Sequence, residues 1–127
     1  MRIEELVQTN LREQARALRR RLPARALEEC AQLVEVSPSR LARILGITRK
    51  PKRRYSLKAG EKIWRVADLR RYVSRFVGHA KANEFLKTPC LELRGEVPLN
   101  LARLWIGACW VREVVAQRAH ERTGVTA

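Results

Sequence analysis

Residues 37–48 read Ser-Pro-Ser-Arg-Leu-Ala-Arg-Ile-Leu-Gly-Ile-Thr, and this stretch decides how the chain is interpreted. Ser37 offers a side-chain oxygen to cap a helix, and Pro38 suits the first helical position, where its missing N–H costs nothing. Leu41, Ile44 and Leu45 then repeat at helical spacing. Gly46 stops the helix and supplies the backbone freedom of a sharp turn. Ile47 fills the angle behind that turn, and Thr48 is placed to cap a second helix. Ala42 is small enough for that second helix to cross close by. The pattern is that of a helix-turn-helix, whose second helix presents its first side chains to the major groove of DNA.

On this reading Arg49, Lys50, Lys52, Arg53 and Arg54 are the expected DNA-facing set. Arg40 and Arg43 on the preceding helix, with Lys58 and Lys62 beyond, add contacts to the phosphate backbone. Arginine can read guanine with two hydrogen bonds, whereas lysine mostly meets phosphate. Pro51 falls within the first turn of the expected recognition helix and pushes the residue before it away from helical angles. The helix therefore begins at Thr48 or is delayed to Pro51, and contact with the backbone is expected ahead of base reading.

The charge distribution points the same way. The chain has 127 residues and a net charge of +14. Residues 40–65 carry ten basic side chains and one acidic, so +9 of that charge lies in one short stretch. Charge kept only for solubility has no reason to concentrate there, whereas a polyanion-binding surface does. Double-stranded DNA is the expected partner, bound with a steep dependence on salt.

Around this stretch the sequence predicts an all-α chain, since no run alternates apolar and polar residues as a strand does. A helix is expected from Ile3 to Leu22, closed by Arg19, Arg20 and Arg21 at the negative end of its dipole. A second follows Pro23 with Leu27, Cys30, Ala31 and Val34 as its buried face. Ser56 opens a long helix with Ile63, Val66, Val73, Phe76 and Val77 on its apolar side, ended by Gly78. A shorter helix covers about 80–86, residues 93–97 form a turn, and Pro98 begins a last helix reaching Arg122. The basic half gives way to a near-neutral half near residues 72–78. The expected domains are therefore 1–77, a helix-turn-helix bundle with its N-terminal helix, and 78–127, a helical partner-binding domain.

Cys30, Cys90 and Cys109 stand far apart, and neither His79 nor His120 joins them at ligand spacing. No metal, cofactor or disulfide framework is expected, and each cysteine reads as a small core residue. No Ser/His/Asp set, paired carboxylates or phosphate loop is visible, so no enzyme is expected. The opening residues carry acids where an export signal has an apolar core, so a cytoplasmic protein is expected. The apolar stretch from Val97 to Ala116 contains Pro98, Arg103 and Arg112, which argues against a membrane span.

That same stretch holds Leu99, Leu101, Leu104, Trp105, Ile106, Ala108, Trp110, Val111, Val114 and Val115. They cover more than one face of a helix, so burial on several sides is expected, partly by a partner protein. Trp105 and Trp110 are its natural anchors. A set of motifs here resembles the Xre/MbcA/ParS family of antitoxins, the partners of RES-domain toxins. Phe85-Leu86-Lys87-Thr88-Pro89 resembles the family's "WL-x-x-P" segment. Leu93-Arg94-Gly95-Glu96-Val97-Pro98-Leu99 resembles its "L-x-G-x-x-P-L" step. Gly107, with Val111 four residues on, and the closing Gly124-Val125-Thr126-Ala127 complete the match over roughly residues 36–127. The chain departs from the family at Phe85, at Leu104 (where members usually carry Thr) and at Pro51. The resemblance implies an antitoxin whose C-terminal half blocks the NAD pocket of a RES-domain toxin and whose basic half binds its own operator as a homodimer or with the toxin. Trp105, Trp110, Arg118, Arg122, Gly124 and Val125 are the expected toxin contacts. The competing reading is a stand-alone helix-turn-helix regulator or nucleoid-type DNA binder without a toxin.

Overall fold

The computed structural model describes residues 1–49 and 52–123. Among them the regular elements are all helical: α1 (Ile3–Leu6), α2 (Leu11–Arg19), α3 (Arg25–Val34), α4 (Pro38–Leu45), α5 (Leu57–Val77), α6 (His79–Leu86), α7 (Pro98–Leu101) and α8 (Trp105–Thr123), with a single 3-10 turn at Leu91–Leu93. The all-α expectation is met. No helix among the described residues is long and apolar enough to cross a membrane. The chain forms two compact units, Met1–Asp68 and Leu69–Ala127, and the division falls inside α5. The change in charge composition lies at the far end of that helix, so the boundary expected at 77/78 is displaced from the one the packing makes.

In the first unit the single N-terminal helix expected from Ile3 to Leu22 is instead two. Thr9 and Asn10 break it, because their side chains offer the backbone local partners in place of the helical ladder. The Thr9 hydroxyl donates to the Leu6 carbonyl at 2.6 Å, and the Asn10 side chain accepts from the Glu13 amide at 2.9 Å, capping α2. Two buried polar side chains then tie these pieces down. Gln14 donates to the Thr9 carbonyl and accepts from the Trp64 indole N–H, both at 2.7 Å. Glu29 on α3 accepts the Ile3 amide at 3.0 Å, satisfying a donor that the first turn of α1 leaves without a helical partner.

Helix α3 buries Ala26, Leu27, Cys30, Ala31 and Val34, the spacing read from the sequence. It ends with Glu35 in the left-handed region (φ 60°), and the Val36 amide reaches back to the Ala31 carbonyl. Helix α4 ends the same way, with Gly46 at φ 65° and the Ile47 amide on the Ala42 carbonyl. Glycine takes this conformation freely and glutamate at a cost, which is why only the second stop was legible. Leu27, Leu41, Leu45, Tyr55 and Ile63 are fully buried here; each buried Leu or Ile contributes about 1.5–3 kcal/mol by leaving water.

In the second unit α6 follows Gly78 directly, and Leu86, Leu93, Leu99, Ala102 and Val111 are buried. Asn83, also buried, accepts from the Arg70 guanidinium at 3.0 Å. An isolated antiparallel bridge joins Cys90 to Glu96 around Arg94 and Gly95, both at positive φ, which is the turn expected at 93–97. The last helix expected from Pro98 to Arg122 is broken in two at residues 102–104. A Cβ on Gly107 would lie 2.1 Å from the Leu101 carbonyl oxygen, so only glycine lets the first turn of α8 approach the end of α7 this closely.

Candidate nucleic-acid interface and partner surface

Helix α4 is held by Ser37, whose hydroxyl accepts from the Arg40 amide at 3.1 Å, and by Pro38 in the first turn. It buries Leu41, Ala42 and Leu45 and leaves Ser39, Arg40 and Arg43 exposed on the other side. Three residues, Glu35, Val36 and Ser37, connect it to α3, and the two helices pack on one another. A short helix with a basic outer face therefore follows a tight turn.

The second helix expected from Thr48 is not formed. Thr48, Arg49 and the described residues from Lys52 to Ser56 are non-helical, and α5 begins only at Leu57. The cause is tertiary. Tyr55 is fully buried, and its amide donates to the Leu22 carbonyl at 2.9 Å. The Arg54 guanidinium donates to the Arg21 carbonyl at 2.7 Å. These bonds hold the segment against the link between α2 and α3, while Ser56 accepts from the Ala59 amide to start α5.

The predicted DNA-facing residues consequently divide. Arg40, Arg43, Lys52, Arg53 and Lys58 are exposed. Arg49 is also exposed, but its Nε donates to Glu28 on α3 at 3.1 Å, so much of its charge is met inside the protein. Arg54 is engaged by the Arg21 carbonyl, and Lys50 lies outside the described residues. Sequence reasoning passed over Arg16, Arg20 and Arg21, of which the last two read only as partners of a helix dipole. The signal available was the run Arg19-Arg20-Arg21 directly before Pro23.

In the second unit Leu104, Trp105 and Ile106 are consecutive and exposed, Trp105 at 62 % and Ile106 at 71 %. Within the chain α8 buries one side, Ala108, Val111, Val114 and Val115, and Trp110 is half-buried. The first turn packs on α7 through Gly107, and Leu104, Trp105 and Ile106 lie on its solvent side. Arg118 is engaged within the chain. Its guanidinium forms a two-pronged ion pair with Glu92, through Nη2 to Oε1 at 2.8 Å and through Nε to Oε2. It also lies 5.3 Å from the centre of the Phe85 ring and donates to the Cys90 sulfur. Hydrogen bonding from Arg118 holds the Glu92 carboxyl at about 2, well below its ordinary 4.5. Arg122 is exposed, while Gly124 and Val125 lie outside the described residues.

Comparison with protein-family models returns no match, and a search of curated proteins returns no significant one.

Proposed function

We propose that this chain is a double-stranded-DNA-binding antitoxin whose first unit binds operator DNA through α4 and whose second unit binds a RES-domain toxin. The observation that carries the DNA half is the exposed pair Arg40 and Arg43 on a short helix reached by a three-residue turn from α3. Such a helix of eight residues is about 12 Å long, comparable with the width of the major groove. The helix-turn-helix is thus α3–α4, one helix earlier than the sequence alone suggested, and Lys52, Arg53 and Lys58 supply phosphate contacts beside it.

Support for the toxin half is the motif resemblance over residues 36–127 together with the exposed Leu104-Trp105-Ile106 turn. Three large apolar side chains in water are costly unless a partner covers them, and tryptophan is the residue type that most often anchors such an interface. The toxin contact is centred on Trp105. Arg118 is engaged by Glu92 and is not a free arm toward the toxin. Inhibition by covering the toxin's NAD pocket requires no catalytic group on this chain.

Co-expression with the product of the adjacent gene tests both halves. Trp105→Ser should abolish growth rescue and keep DNA binding; Arg40→Glu with Arg43→Glu should do the reverse. Rescue that survives Trp105→Ser refutes the proposed toxin contact.

A further inference from the structure

The first unit holds a cavity of about 340 Å³ walled by five arginines: Arg16 of α2, Arg20 and Arg21 just after it, Arg25 at the start of α3, and Arg54 of the segment before α5. Among the described residues Glu13 is the one acid in its wall. Two of these charges are met within the protein. Arg16 pairs with Glu13 at 3.7 Å, and Arg25 pairs with Glu29 at 3.2 Å. Among the described residues no carboxylate pairs with Arg20, Arg21 or Arg54. From this arrangement we infer that the cavity binds a phosphate-bearing anion, in a site separate from the basic face of α4.

The wall is built, not merely basic. Arg21 takes a left-handed backbone conformation (φ 69°) that arginine adopts only under constraint, and its carbonyl accepts the Arg54 guanidinium at 2.7 Å. That bond uses one of the five donors on Arg54 and leaves its charge uncompensated. Adjacent Tyr55 is fully buried and donates to the Leu22 carbonyl, so the rim is fixed from both sides. Three unmet like charges around one concavity repel each other, and an anion relieves that repulsion. Guanidinium groups match phosphate oxygens with paired hydrogen bonds. Several guanidinium groups around one open concavity suit a chain of phosphates better than a single one.

The phosphates can come from the DNA backbone or from a free nucleotide, and the two sources separate experimentally. The full chain is titrated with inorganic tripolyphosphate by calorimetry at near-physiological salt. Saturable binding at one site is expected. Arg20→Gln should weaken it about tenfold or more, because α2 keeps its fold when an exposed, unpaired side chain is replaced. Lys81→Gln, an equal reduction of charge at an exposed position of α6 outside the cavity, should leave it unchanged. If DNA supplies the phosphates, Arg20→Gln also lowers affinity for a random duplex and reduces the log–log salt slope by about 0.9. If a free nucleotide supplies them, duplex affinity is unaltered. No saturable binding, or equal weakening in the two variants, overturns the inference. Because the titration contains no DNA and no toxin, its result is independent of the antitoxin reading.

Discussion

Replacing both Arg40 and Arg43 with alanine should weaken DNA binding without weakening the fold. Both side chains are exposed on α4, opposite the buried Leu41 and Leu45. Neither forms an ion pair among the described residues, and alanine is a good helix former, so stability should change by less than about 0.5 kcal/mol. For every phosphate that an arginine no longer neutralises, the slope of log affinity against log salt falls by about 0.9. Removing both arginines therefore takes about 1.8 from the slope. At near-physiological salt the same counterion effect amounts to roughly fivefold per arginine, or about 30-fold for the pair, close to 2 kcal/mol. Arg49→Ala should behave differently. It breaks an exposed pair with Glu28, worth about 0.2–1 kcal/mol of stability, and should shift DNA affinity less than removal of either α4 arginine. Fluorescence anisotropy with a labelled random duplex between about 50 and 200 mM salt measures both slope and affinity. If Arg49→Ala lowers the slope more than the double variant does, α4 is not the helix that meets DNA.

Two further outcomes test the second unit. Gly107→Ala should cost more than about 3 kcal/mol, since the added Cβ would meet the Leu101 carbonyl oxygen at 2.1 Å and no side-chain rotation relieves a backbone clash; urea denaturation should show it, and a change below about 1 kcal/mol would contradict the close approach of α7 and α8. In Arg118→Met the Glu92 carboxyl should titrate higher than about 2, toward its ordinary 4.5, with the backbone and Cys90 hydrogen bonds still holding it down, as followed by carbon NMR of that group. Because the folded value lies below the ordinary one, the pair's contribution to stability is complete above about pH 4.5 and disappears as pH falls toward 2; both side chains are largely in water, so screening keeps it below about 1 kcal/mol. An unchanged Glu92 titration would show that Arg118 is not the cause of the shift.

How far the fold was legible follows from which forces are local. Ser37, Pro38 and Gly46 fix the limits of α4 by capping, a missing N–H and a left-handed turn, all interactions within a few residues. The periodic apolar faces of α3 and α5 are equally local, and so is the turn around Gly95. The sequence by itself thus determined an all-helical chain, most of its helix boundaries and the position of its charge. What it could not determine were the tertiary contacts that hold the chain where its helices break. The Ile3–Leu22 helix divides where Thr9 and Asn10 bond locally and Gln14 reaches Trp64, fifty residues away. The helix expected at Thr48 gives way to a segment held by Leu22 and Arg21, because burying Tyr55 outweighs local helical preference. That same pairing turns Arg54 from an expected DNA contact into a wall of the arginine cavity, gathering charges that lie more than thirty residues apart in the chain. Composition gave the number of arginines; only the tertiary hydrogen bonds decided which of them face outward together.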